Sequence, residues 1–306
     1  APTLIDDAED VEQRFLAALA AMAEIVIADE KAVLIDALRR IVESLHQGLD
    51  DDVSVELIGR LPQLAIAAAA QAALDLDKLE LAGWLGGRRY EWLNRTYNQT
   101  ISVESATPCA MWIDFLGEVK WREGALDLAM ERFTAADQYY EFVLAREPTR
   151  KAVFGRAGTL SNLSRLAAEM GRPEAALGFL AAMSSHYQKA SDSGIIDEQE
   201  KARGIALSLN AQIGLLRAAG NDAAAVGAEQ MCLMLTRQIA ARGEPGDRNN
   251  LSRLLNLLAD HQTNAADALA MANESVGIMY DLLEDAPSRL ALQYDLIVAL
   301  TVRARV

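Results

Sequence analysis

The stretch LSRLAAEMGRPEAALGFL (163–180) decides how this chain folds. Its apolar residues fall three and four apart on both sides of Gly171-Arg172-Pro173, which is the spacing of one helix face. Glycine closes a helix readily and proline suits the first position of the next, so the stretch predicts helix, tight turn, helix.

The hairpin recurs. Reading i, i+4, i+7 and i+11 from Ala176 gives Leu180, Met183 and Tyr187. The same spacing gives Ala129, Phe133, Ala136 and Tyr140, then Ala224, Ala228, Met231 and Leu235, then Ala268, Ala272, Ser275 and Met279. These anchors lie 47, 48 and 44 residues apart, so one structural unit repeats through the carboxy-terminal two-thirds. A turn precedes each anchor: Gly124, Gly171-Arg172-Pro173, Gly220-Asn221-Asp222 and Thr263-Asn264. The pentad NLSRL stands upstream of two of them, at 162–166 and 250–254, and Pro148 and Pro287 close the first and last second helices. An alanine where helices cross allows close approach, and larger residues a turn or two on fill the gap. One such pair cannot cover its own apolar face, so the pairs are expected to stack.

These residues resemble the tetratricopeptide repeat (TPR) family in its long-period bacterial form. MERFTAADQYYEFVLAREP (130–148) is similar to that family's second helix with its closing proline, and TLSNLSRLAAEMGRPEAAL (159–177) to its first helix, turn and second-helix start. The expected fold is therefore all-α, an α-solenoid of stacked antiparallel helix pairs. About four pairs span 106–306, with the last helix unpaired. Residues 1–105 do not follow the period and form a helical region that is either a cap or a separate domain. Within them 11–28 and 31–45 read as an antiparallel helical pair, Gly86-Gly87 as a break, and ISVESATP (101–108) as the boundary.

Composition narrows the function. A net charge of −15 repels phosphate backbones and anionic lipid, so neither nucleic acid nor a membrane is expected as a partner. No apolar run is long enough to span a bilayer. Cys109 and Cys232 form no CxxC motif and read as buried free thiols of a reducing, cytoplasmic compartment, with a distant disulfide between them as the alternative. Phosphate-loop, dinucleotide, serine-hydrolase and zinc-protease motifs are missing, so no catalytic residue, metal or cofactor is expected. His46, His186 and His261 lie far apart and near helix ends, where the terminal carbonyls are their natural partners. Asp50–Asp52 and Asp75, Asp77 and Glu80 read as solvated acids, and Gly86-Gly87-Arg88-Arg89 as a basic turn.

The predicted first helices (149–170, 201–219, 247–262, 288–306) sum to a net charge of +8, and the second helices (125–147, 173–191, 221–244, 264–287) to −9. If first helices line a concave groove, as the resemblance implies, that groove is basic. Alternating sign equally lets neighbouring helices attract one another.

TPR proteins that bind extended peptides often use a first-helix asparagine, and Asn162 and Asn210 occupy that place, fourteen residues before their anchors. In the last repeat the count falls on Leu254 and the repeated NLSRL sets Asn250 one turn away; in the first it falls on Phe115. A carboxamide donates and accepts at once, matching a peptide's N–H and C=O. Arg165 and Arg253 follow Asn162 and Asn250 by three residues and could clamp a carboxylate. The expectation is a non-enzymatic scaffold that binds an extended or helical partner segment carrying acidic groups, with affinity weakened by salt. The alternative is a regulatory arm of a larger signalling effector, since the chain opens without methionine and its last helix lacks a mate. Leu296, Ile297, Val298, Leu300 and Val302 of that helix call for cover, which leaves homodimerisation through it open.

Overall fold

The computed structural model describes residues 55, 56, 58, 59, 63–75, 77–100 and 102–306. The helical pair expected over 11–28 and 31–45, His46 and Asp50–Asp52 lie outside the described residues.

Helices account for nearly all of what is described. They are α1 (Gln63–Asp75), α2 (Leu79–Thr100), α3 (Val103–Arg122), α4 (Leu126–Arg146), α5 (Arg150–Glu169), α6 (Pro173–Asp192), α7 (Glu198–Ala218), α8 (Asp222–Ala240), α9 (Pro245–His261), α10 (Ala265–Asp285) and α11 (Leu290–Arg305). No strand occurs among the described residues. The chain forms two compact units that divide between Leu166 and Ala167, inside α5. In the first unit α1 packs on α2, α2 on α3 and α3 on α4, and in the second each of α6 to α10 packs on the helix that follows. The fold class is all-α, a solenoid of paired helices.

The turn at 170–172 forms as its residues dictate. Gly171 takes a left-handed φ of +72°, its N–H donates to Ala168 O, and the Arg172 N–H donates to Ala167 O. Pro173 then opens α6, where its missing N–H leaves no bond unmade. Elsewhere side chains cap the starts: Asn221 accepts from the Ala224 N–H, Asn264 from Ala266, and Asp197 forms a reciprocal capping box with Glu200.

The anchor positions are buried in three repeats: Ala129, Phe133, Ala136 and Tyr140; Ala176, Leu180, Met183 and Tyr187; Ala268, Ala272, Ser275 and Met279. In α8 the register differs by one. Ala224 and Met231 face solvent, Ala228 is buried as expected, and Ala225, Glu229, Cys232 and Thr236 make up the rest of the inward row. The alanine run 223–225 offers several equivalent starts, and an acid is an unpromising core residue, so periodicity alone selects the wrong phase. Glu229 is accommodated because Arg217 grips both its oxygens at 3.0 Å and His261 Nδ1 stands 2.9 Å away. His261 thus meets a carboxylate, and His186 lies more than a turn inside α6.

Two more expectations fail in α2. Gly86-Gly87 breaks nothing: α2 runs through it, and Gly86 lets Phe115 and Leu116 of α3 approach. Arg89 belongs to no basic turn. It is buried, and its Nη1 donates to Ile58 O and Gly59 O. Within ISVESATP, Ser102 caps α3, which begins at Val103 and includes Pro108.

The two NLSRL pentads share one inside–outside pattern. Leu163, Ser164 and Leu166 are buried in the first copy, as are Leu251, Ser252 and Leu254 in the second, with Arg165 and Arg253 exposed.

Candidate functional site

In the second unit, the first-position helices α7 and α9 flank α8 and leave a cleft of about 350 Å³ between them. Its apolar lining comes from Ala206, Cys232, Ile239, Leu254 and Leu257, with the Thr236 hydroxyl already committed to Cys232 O at 2.8 Å. Polar side chains line it as well: Arg203, Asn210, Asp247, Asn250 and Arg253. Beside them stands Leu207, a large apolar side chain 58% exposed to solvent. Three of the five residues selected from sequence, Asn210, Asn250 and Arg253, therefore meet in one depression.

The arginines there are already engaged. Arg203 donates through Nε and Nη2 to Asp247 at 3.0 and 2.5 Å, and Arg253 embraces Asp295 of α11 at 2.8–3.3 Å. Each bridge spans about one repeat and ties one first-position helix to the next. The first-helix positive charge is largely spent this way. Arg156 pairs with Asp137 and Glu141 of α4, Arg217 with Glu229 and Asp222, and Arg248 with Asp281 of α10. The carboxylate Arg253 clamps is the chain's own, and so is that of Arg203.

The other two sequence-selected residues lie in the first unit. Asn162 Nδ2 donates to Asp114 Oδ2 at 3.4 Å, beside the Thr159 hydroxyl, which donates to Asp114 Oδ1 at 2.7 Å. The Arg165 guanidinium lies 4.8 Å from the Trp121 ring centre in a cation–π contact. A second cleft of about 240 Å³ opens between α1 and α3, lined by Gln63, Ala67, Gln71, Met111, Trp112, Asp114, Phe115 and Glu118. Burial pushes the Asp114 carboxyl up to about 6 against the two hydrogen bonds, with Glu118 adding repulsion.

Burial also raises both thiols, Cys109 to about 12, so neither is a thiolate near neutrality. Among the described residues no three histidine, cysteine or acidic side chains gather as metal ligands, and no helix is long and apolar enough to cross a membrane.

Arg203, Asp247, Asp114 and Glu229 were not singled out by sequence reasoning. A signal exists for the first three: a donor and an acid stand one repeat apart in 203/247, 253/295 and 162/114.

No protein-family model and no curated protein matches the sequence. Solved structures do match in shape. The apo form of RapI aligns with 95% of this chain and 98% of its own, at 10% identity and a TM-score of 0.55. BtubC from P. vanneervenii aligns with 74% of this chain and 91% of its own, at 16% identity and a TM-score of 0.49. The Rap conjugation gene regulator of plasmid pLS20, in complex with the Phr* peptide, aligns with all of this chain and 78% of its own, at 12% identity and a TM-score of 0.46. At such identities the likeness to RapI is one of fold.

Proposed function

We propose that the chain is a non-enzymatic protein-interaction module whose α7–α8–α9 cleft holds an extended segment of a partner protein. The convergence of Asn210 and Asn250 on one cleft with an apolar lining carries this reading. The carboxamides would bond successive peptide groups, while Leu207 and the apolar lining receive a side chain. Arg203 and Arg253 each keep Nη1 beyond their bonds to Asp247 and Asp295, so they add donors to the rim with little net charge. The preferred segment is therefore neutral and apolar at this site, and the acidic partner inferred from helix charge is not required.

The test is selection from a displayed random-peptide library. The wild-type chain should enrich a consensus that Asn210→Ala/Asn250→Ala fails to bind while melting unchanged. A consensus retained equally by that variant would sink the reading.

The regulatory-arm reading has its own support. Leu290, Tyr294, Ile297 and Val298 form an exposed apolar row on α11, although Val302 is buried in the unit's own core. Such a row suits a second protein surface, whether another copy of the chain or an effector.

A further inference from the structure

Asp247 and Asp295, buried on first-position helices, are each neutralised by a chelating arginine, Arg203 or Arg253, and buried Glu229 is held by Arg217. Asp114 is the exception. It lies half-buried on α3 and receives only neutral donors, Thr159 and Asn162. Among the described residues no cationic side chain reaches it, since Arg122 is turned to Glu118 and to Leu74 O, and Arg165 lies over Trp121. What adjoins Asp114 instead is the α1–α3 cleft, walled by Met111, Trp112 and Phe115.

We propose that this cleft receives the guanidinium of an arginine side chain on a partner polypeptide, with Asp114 as its counter-ion. Several features suit that group. A planar guanidinium can lie against an aromatic wall while its edge meets a carboxylate, which a tetrahedral ammonium does less well. Both Asp114 oxygens are oriented by Thr159 and Asn162, so the acceptor is set before the ligand arrives. Gln63 and Gln71 supply carbonyl acceptors on the opposite wall for the remaining N–H groups. The proposal shares with the preceding one only that the partner is a polypeptide; its residues and its unit are different.

The experiment passes two blocked pentapeptide pools over the immobilised full chain at about 150 mM salt, where long-range attraction is screened. One pool carries arginine at its centre and the other citrulline, which keeps the shape and drops the charge. Wild type should retain the arginine pool about tenfold better. Asp114→Asn should abolish that preference, and Asn210→Ala/Asn250→Ala should keep it, so failure of the α7–α9 groove leaves this readout intact. Wild type alone provides a second arm. The preference should fade between pH 7.5 and 5, as Asp114 takes up a proton while the peptide stays cationic. The groups around Asp114 are Glu118 on its own helix, Thr159 and Asn162 from α5, and Tyr140 from α4, whose phenol is held protonated by burial. Equal retention of the two pools by wild type would overturn the proposal. So would a preference that survives Asp114→Asn or stays constant with pH, which would be general attraction to a chain of charge −15.

Discussion

Asp114 shows desolvation outweighing hydrogen bonding: two donors reach it, yet its carboxyl sits at about 6, against an ordinary 3.8. The native state therefore binds this proton more tightly than the unfolded chain, and stability falls as pH rises from about 4 to about 6. Asp114→Asn keeps an acceptor for Thr159 and removes the half-buried charge. It is expected to be about 2 kcal/mol more stable than wild type at pH 7, after allowing for one weakened bond. Urea unfolding should show that gain shrinking toward pH 4; a constant gain would place the effect elsewhere. Retaining a destabilising acid is what a binding residue does. Glu229 differs in its contacts, because Arg217 chelates both its oxygens and His261 Nδ1 stands beside one of them. Removing one member of a buried pair strands the other, so Arg217→Met should lower the urea midpoint more than Glu229→Gln.

At the scale of the helix, small residues carry the packing. Gly204 on α7 faces the Tyr187 ring of α6, and Gly155 on α5 faces Tyr140 of α4, each so closely that a Cβ would overlap the ring. Gly214, ten residues further along α7, meets nothing within 4 Å. The same substitution should thus have opposite signs in one helix. Gly204→Ala is expected to destabilise by about 1–3 kcal/mol through overpacking, and Gly214→Ala to stabilise by about 0.5–1 kcal/mol through helix propensity. Thermal melts of the two variants decide it. The helices themselves were readable, because turns at Gly171 and Asn264 and the three-and-four spacing are local signals. The phase of α8 was not, since the residue that defines it, Glu229, is an acid whose burial depends on an arginine and a histidine from two other helices.

At the scale of the whole chain, opposite charges on adjacent helices serve cohesion. Arg156, Arg203, Arg217, Arg248 and Arg253 all meet carboxylates of neighbouring helices. The basic groove suggested by summed helix charge is largely neutralised within the fold, and the salt sensitivity expected from it changes accordingly. Peptides selected on the α7–α9 cleft should lose less than about twofold in affinity between roughly 0.1 and 0.5 M salt; a steep loss would show that the rim arginines act as free cations. The exposed row Leu290, Tyr294, Ile297 and Val298 on α11 leads to a different measurement. Light scattering should show the mass rising toward two chains with concentration, and Ile297→Glu should hold it at one. A single-chain mass for wild type throughout would assign that row to another protein.

Spacing, turn chemistry and repeat length by themselves determined that this chain is all-α, that its helices pair, and roughly where each helix from α4 to α11 begins and ends. Those properties depend on residues within a turn or two of one another. The resemblance to peptide-binding TPR proteins brought Asn210, Asn250 and Arg253 forward as candidates, which the fold gathers on one cleft. Tertiary structure decided which charges are free. Arg253 is met by Asp295 and Asn162 by Asp114, partners 42 and 48 residues away, whereas Asp114 itself meets no cation among the described residues. Whether a charge is paired depends on what stacking brings within hydrogen-bond reach, and no local pattern encodes that distance.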